Sequence, residues 1–393
     1  MRLSPLDAIW LMMESPDTPM HVGVLATFRM PARAPANQLQ ELAQQMRASR
    51  ELAAPWNYRL ANPSGNSARP RLVEEQDFDL DYHFRHSALP APGGERELGV
   101  VVSRLHSIAL DRNRPLWEFH LIEGLERRRF AFYLKVHHAL VDNVTALPLL
   151  MSLLSVRAKD KNLPPIWSVP LESSAGLDDW DTEGEEVWRA LADSRQSLAA
   201  MRDAAGGFLR NFLRRDADGS FLLPRGTPRS TLNRRINSQR RFATQQFDHA
   251  RIQRLADASA TTVNTVLAYL CGSSLRRFFK EYNALPEESL IGMLPVSLQE
   301  RSSAVRGNAI TGLRVSLGTH IGDPLARLEA VKNAIDEVRA DRESLPEAAA
   351  MPYVLMRSAP LYASQLPGVG RLVPPVFNLA VSNSPGPDNP RYF

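Results

Sequence analysis

Two adjacent histidines, His137 and His138, with Asp142 four residues further on, are the residues in this chain whose types and spacing best fit bond-making chemistry. Imidazole has an unperturbed pKa of ~6.5, so at neutral pH it can take a proton from a hydroxyl and return it within one catalytic cycle. The run before the pair, RRFAFYLKV (128–136), is aromatic and β-branched enough for a strand. The run after it, LVDNVTALPLLMSLL (140–154), shifts toward helical spacing with Asp142 as N-cap. Both histidines therefore fall where a strand ends. Side chains alternate faces along a strand, so His137 and His138 should have different jobs, one facing a cleft and the other the packing behind it. An aspartate just past the turn holds the backbone by capping, or holds an arginine, without touching substrate. The plainer alternative is a buried, hydrogen-bonded histidine pair. Pro148 has no N–H to donate, so the helix after the motif should start late, near Leu147.

The remaining composition narrows the classes. His21, His83, His86, His106 and His120 show neither H-x₃-H nor H-E-x-x-H spacing, so no metal site is expected. His21 reads as structural or close to substrate. Cys271 is the single cysteine, which excludes an intramolecular disulfide and fits a reducing, cytoplasmic setting. Within AYLCGSSL it reads as a small apolar core residue. There is no G-x-S-x-G elbow to suggest an acyl-enzyme. At 393 residues, 44% hydrophobic and 23% charged, the chain is long enough for two full cores. A net charge of +4, from 47 basic and 43 acidic residues, gives no reason to expect a nucleic-acid partner. Asp7 and Glu14 interrupt the apolar start, which is not a signal peptide. No apolar run approaches the ~20 residues that span a bilayer, so membrane contact is expected to be peripheral.

Strands and helices mix in both halves. Ser4-Pro5-Leu6-Asp7 reads as a helix start, and PMHVGVLATFRM alternates as a strand. A helix is expected over 37–50, a loop over PWNYRLANPSGNSARP, a strand over 81–89 and a helix over 95–109. Strands over 116–121 and 128–136 should be joined by a turn at Glu123-Gly124. Residues 1–158 form the first expected domain. Residues 159–237 form a connector with an amphipathic helix, in which Val187, Leu191, Leu198, Met201, Phe208, Phe212 and Leu213 share an apolar face. Its bland reading is packing on the domains; its sharper reading is contact with an anionic lipid surface. Residues 238–393 form the second domain, opening with a strand RRFATQQF (240–247). Helices should follow over 248–258 and 262–282, then strands within 289–298 and 308–320, a helix from Asp323-Pro324, a helix over 345–365 and a strand VFNLAVSN.

Four blocks, in order, carry a resemblance: LSPLDAIWLMMESPDTPMHVGVLATF (3–28), RPLWEFHLIEGLERRRFAFYLKVHHALVD (114–142), TVNTVLAYLCGSSLRRF (262–278) and VFNLAVSNSPGP (376–387). They are similar to the bacterial wax ester synthase/diacylglycerol acyltransferase family, whose HHxxxDG motif matches HHALVDN. The resemblance implies an α/β class of mixed-sheet sandwiches, the two-domain CoA-dependent acyltransferase (chloramphenicol acetyltransferase-like) fold with a tunnel between domains. It implies an O-acyltransferase that moves a long-chain acyl group from acyl-CoA to a fatty alcohol or diacylglycerol, giving wax ester or triacylglycerol. His138 would be the general base, His137 and Asp142 its supporting motif, and Asn264 and Trp117 substrate-binding residues. Acyl-CoA would be substrate, with no cofactor. The implied location is cytoplasmic, with a peripheral contact to the inner membrane, a lipid droplet or lipid inclusions left open. Two positions depart from the family pattern: Asn143 replaces a glycine, and Thr265 replaces the aspartate after Asn264. Family members also continue past the last block. Missing strands would then come from another chain or segment, or the second domain would be unstable. The competing readings are a degenerate acyl-CoA- or lipid-binding homologue and a carrier-dependent condensation-type acyltransferase.

Overall fold

The computed structural model describes residues 3, 5–64, 70–141, 146–160, 163–171, 227–297, 310–343, 375–384, 386–387 and 389–393. They fall into two compact units, one comprising Met1–Ala192, Ile236–Thr244 and Gly386–Phe393, the other Asp193–Arg235 and Gln245–Pro385.

The first unit is built on a four-stranded mixed sheet. Its strands are β1 (His21–Arg29), β4 (Phe84–Ala88), β5 (Trp117–Leu125) and β6 (Arg129–His137), in the order β1-β6-β5-β4. β6 runs antiparallel to both neighbours, and β4 and β5 are parallel. Eight of the nine β6 residues are buried, because both faces of the sheet are covered. Phe130, Phe132, Leu134 and Val136 join Trp56, Trp117, Phe119 and Trp167 in one core. Ala131 and Tyr133 pack on the other face against Leu98, Val101 and Val102 of α4 (Glu95–Ser107). The remaining helices are α1 (Pro5–Met13), α2 (Gln38–Ala48), α3 (Leu80–His83) and α5 (Ala146–Ser152). Pro148 is the third residue of α5, where the helix has no carbonyl for an N–H to reach.

Four local expectations are corrected. The loop after Pro55 contains a short hairpin, β2 (Tyr58–Leu60) against β3 (Leu72–Glu74). The stretch 81–89 opens as α3, capped by Asp79, whose carboxylate accepts the Tyr82 N–H, and extends only from Phe84. The β5–β6 turn is not at Gly124, which lies within β5 beside a register shift, at φ +83°. It is at Arg127 and Arg128, both in the left-handed region (φ 58° and 56°), as a tight hairpin requires. Residues 240–247 form no strand. Instead residues 240–242 lie along α4: the Phe242 and Arg240 N–H groups donate to the Ser103 and Ser107 hydroxyls (2.7 and 2.8 Å). Each hydroxyl donates in turn to a carbonyl one helical turn back, Gly99 or Ser103. Two extended residues advance about 6.6 Å and four helical residues about 6 Å, so the two periods match.

The second unit contains α6 (His249–Ala258), α7 (Val263–Glu281) and α8 (Pro324–Glu343). Its sheet, in the order β8-β7-β9, consists of β7 (Ile291–Ser297), β8 (Ile310–Ser316) and β9 (Leu379–Ala380). β7 is antiparallel to β8 and parallel to β9, so this sheet too is mixed. Asp248, Thr262 and Asp323 cap the three helices, the last as the sequence suggests. The connector helix over 187–213 and the helix over 345–365 lie outside the described residues.

Candidate active site

β6 carries His137 to the end of the sheet and the chain then turns, leaving His138 one step beyond the last pair. His137 sits directly opposite His21 of β1 and is wholly buried. Its Nδ1 accepts the Ala139 N–H at 3.0 Å, so the ring proton belongs on Nε2. That nitrogen faces Glu14 Oε1 at 3.6 Å, too long for a hydrogen bond but close enough for charge to act. Glu14, just past α1, also accepts the Met20 N–H at 3.2 Å and lies 3.6 Å from Arg112 Nε. Arg112 in turn donates to the Leu11 carbonyl at the C-terminal end of α1 (3.1 Å). Burial pushes the Glu14 carboxyl up, but His137, the Met20 N–H and Arg112 together hold it below the usual carboxylate range. The first histidine is thus held by one hydrogen bond at Nδ1, with the Glu14 carboxylate close to its other nitrogen.

His138 is held differently. Its backbone N–H donates to the Met20 carbonyl (3.0 Å), and its half-buried ring lies against the indole of Trp10 on α1, centroids 4.5 Å apart and planes at 22°. Burial, reinforced by His137 and opposed by the Val141 backbone, lowers its pKa to about 4. The ring is therefore neutral at physiological pH. The neutral form is the one able to accept a proton, with a basicity that burial has lowered.

Behind the pair runs a buried polar layer. Lys135, two residues before His137 and wholly buried, donates to Glu118 Oε2 (3.0 Å) and to the Leu105 and Ile108 carbonyls at the end of α4 (3.1 and 3.0 Å). Glu118 is also 3.2 Å from His120 Nε2. His21 bonds to the His106 carbonyl, and His106 Nδ1 to the Tyr133 hydroxyl. Burial lowers the His21 pKa to about 3, making it a neutral structural group. A Cβ on Gly23 would stand 2.8 Å from the Tyr133 ring and hydroxyl, so only glycine leaves room for that residue.

The other expected site residues lie elsewhere or are not described. Trp117, expected against substrate, is wholly buried and gives its indole N–H to the Trp56 carbonyl (2.8 Å). It stacks with Trp167 and His83 and is a core residue. Asn264 stands second in α7 of the second unit. Thr262 caps that helix, and the Asn264 Oδ1 accepts from Asn383 Nδ2 at 2.7 Å, joining two of the four sequence blocks. Asp142 and Asn143 lie outside the described residues. Glu14, Arg112 and Trp10 were not singled out from sequence; the only signal was their inclusion in or beside matched blocks. Among the described residues, no group of three His, Cys, Asp or Glu is placed to hold a metal ion, and no helix is long and apolar enough to cross a membrane.

Comparison with known proteins shows the family. Residues 3–267 match the family model described as the wax ester synthase/diacylglycerol acyltransferase catalytic domain, and residues 306–393 match the family's C-terminal domain. A solved wax ester synthase/diacylglycerol acyltransferase from Marinobacter aquaeolei VT8 superposes with a TM-score of 0.77 at 33% identity, covering 100% of this chain and 83% of that one. The O-acyltransferase WSD of Acinetobacter baylyi is 34% identical over 100% of this chain and 83% of its own length. A Mycobacterium tuberculosis protein named as a diacylglycerol O-acyltransferase is 37% identical, over 100% of this chain and 85% of its own. Fold and relatives together define the class as acyltransferase. The chain belongs to the wax ester synthase/diacylglycerol acyltransferase family.

Proposed function

We propose that this protein transfers a long-chain acyl group from acyl-CoA to the hydroxyl of a fatty alcohol or diacylglycerol, with His138 as the general base. The observation that carries the reading is the neutral, half-buried His138 ring next to a buried His137 whose Nδ1 accepts the Ala139 N–H. The alcohol proton passes to the His138 ring as the alcohol oxygen bonds to the thioester carbonyl carbon. The carbon–sulfur bond then breaks, and the imidazolium returns its proton to the departing CoA thiolate. No group is left on the protein. His137 keeps the strand end rigid, because it is wholly buried and its Nδ1 accepts the Ala139 N–H. A base of this kind contributes about 10²- to 10⁴-fold, and positioning must supply the rest. Asn264, whose oxygen accepts from Asn383, is retained as a substrate-binding candidate. Asp142 belongs to this reading as a supporting residue that orders the turn after the histidines.

The test is release of free CoA thiol from palmitoyl-CoA, with and without hexadecanol or a diacylglycerol, alongside detection of the ester. Acceptor-dependent release with equimolar ester is the expected result. Tight binding of palmitoyl-CoA with neither product would replace this reading with that of a lipid-binding homologue.

A further inference from the structure

We infer that Arg240 is a positioning residue for the reaction: its guanidinium holds the Asp17 carbonyl, and through it the turn between α1 and β1 on which both histidines of the site rest. The inference depends on the reading of His138 as base. It starts from residues 236–244, a segment of the first unit whose neighbours in the chain, Arg235 and Gln245, belong to the second. The segment is fastened to α4 at three places, by the Arg240 N–H on Ser107, the Phe242 N–H on Ser103 and the Thr244 hydroxyl on the Glu95 carboxylate (2.9 Å). Packing there is close enough that a Cβ on Gly99 would stand 2.9 Å from the Phe242 carbonyl oxygen. The Arg240 main chain is therefore fixed.

Its half-buried side chain joins that fixed point to the site. Nη1 donates to the Asn237 and Gln239 carbonyls of its own segment, and Nη2 donates to the Asp17 carbonyl at 3.1 Å. All three acceptors are main-chain oxygens, so the guanidinium ties one stretch of backbone to another 223 residues away. Asp17 lies in a turn closed by two backbone bonds between Ser15 and Thr18 (3.2 and 3.0 Å) and by their hydroxyls, which meet at 2.6 Å. On one side of the turn stands Glu14, whose carboxylate lies 3.6 Å from His137 Nε2. On the other stands Met20, whose carbonyl accepts the His138 N–H at 3.0 Å. The Met20 N–H also donates to Glu14 Oε1 (3.2 Å), so a shift of the turn moves both supports together. A guanidinium suits this role because its donors form a rigid planar fork, whereas an ammonium is a point charge on a flexible stem. Misplacing a catalytic group by about 1 Å costs about 10²-fold in rate, so slack at Asp17 should reach turnover before it reaches global stability.

The experiment compares the full chain with Arg240→Lys, Arg240→Gln and Arg240→Ala. It reads kcat and KM by thiol release from palmitoyl-CoA with hexadecanol, and hydrogen exchange at the Thr18, Met20 and His138 amides, with the Phe132 and Leu134 amides in β6 as reference. Losing the fork should speed exchange at the first three amides by about tenfold or more and leave the β6 reference within about twofold. It should lower kcat by about 5- to 50-fold, leave KM within about twofold, and leave Lys between wild type and Gln. The Gln variant keeps much of the side chain's length and carries the test if Ala fails to fold. Unchanged exchange at His138 in Gln, or an equal rise at the β6 reference, overturns the proposal. A wild-type kcat in Gln beside an inactive His138→Ala variant overturns this proposal alone. An active His138→Ala variant removes the base, and this proposal with it, even where the amides loosen.

Discussion

Replacing Lys135 with methionine puts the buried polar layer under direct test. All three ammonium hydrogens have acceptors, Glu118 Oε2 and the carbonyls of Leu105 and Ile108, and the residue is 0% exposed. Methionine fills a similar volume, so the loss is polar rather than steric. It leaves the Glu118 carboxylate with His120 alone and strips the end of α4 of two hydrogen bonds. Removing one member of a buried pair costs about 3–5 kcal/mol, whereas replacing both members with apolar residues is often close to neutral. Lys135→Met should therefore destabilise the first unit by about 3–5 kcal/mol. Glu118→Leu combined with Lys135→Met should recover most of this, keeping a deficit of about 1–3 kcal/mol for the orphaned carbonyls. Urea unfolding followed by tryptophan fluorescence is a suitable assay, because Trp56, Trp117 and Trp167 share that unit's core. A single variant within about 0.5 kcal/mol of wild type, or a double variant less stable than the single, would refute the reasoning.

Three further outcomes are expected. Gly23→Ala should cost about 1–3 kcal/mol in the same urea assay, since the new methyl meets Tyr133 at 2.8 Å and disturbs its bond to His106; a neutral effect would mean that the Tyr133 ring is not held there. Asn378 accepts the Ile291 N–H and donates to the Pro228 carbonyl and Asn233 Oδ1 at 2.7–2.8 Å while only 7% exposed. Asn378→Ala should cost about 2–3 kcal/mol and collapse hydrogen-exchange protection at Ile291; retained protection there would count against the assignment. Burial raises the Glu118 pKa, but His120 and Lys135 outweigh it and hold the carboxyl at about 2, against an ordinary 4.5. The charged form is favoured in the fold, so its stabilisation is complete above pH 4.5 and is lost as pH falls toward 2. Glu118→Gln should flatten that acid limb of the stability curve, and an unchanged limb would show that other carboxylates govern it.

The strands that carry the site were legible because their patterns are local. RRFAFYLKV is apolar on both faces of a doubly covered strand, and Asp323-Pro324 announces a helix at once. What was missed depends on partners distant in sequence. The β2–β3 hairpin hides among turn formers, and each of its three-residue strands is stable only when paired. Residues 240–247 have strand-like composition, but two serines on α4 take the Arg240 and Phe242 N–H groups instead of a sheet edge. Gly124 suggested the turn, yet the hairpin closes at two arginines with positive φ, a conformation few side chains favour. At the site, the two histidines could be read from spacing. The clamp by Glu14 and Arg112 and the stack with Trp10 exist only once α1 folds against the end of β6, and no sequence period encodes that meeting.

The most direct measurement of the central claim is the turnover of His138→Ala beside His137→Ala, by thiol release from palmitoyl-CoA with hexadecanol as acceptor. The account predicts that His138→Ala loses about 10²- to 10⁴-fold in kcat while melting near wild type, since it removes a base and not a clamp. His137→Ala, which empties a wholly buried site and frees Glu14, should lower the melting temperature and keep partial turnover. Equal, mild losses in the two variants, or His138→Ala turning over within tenfold of wild type, would contradict it.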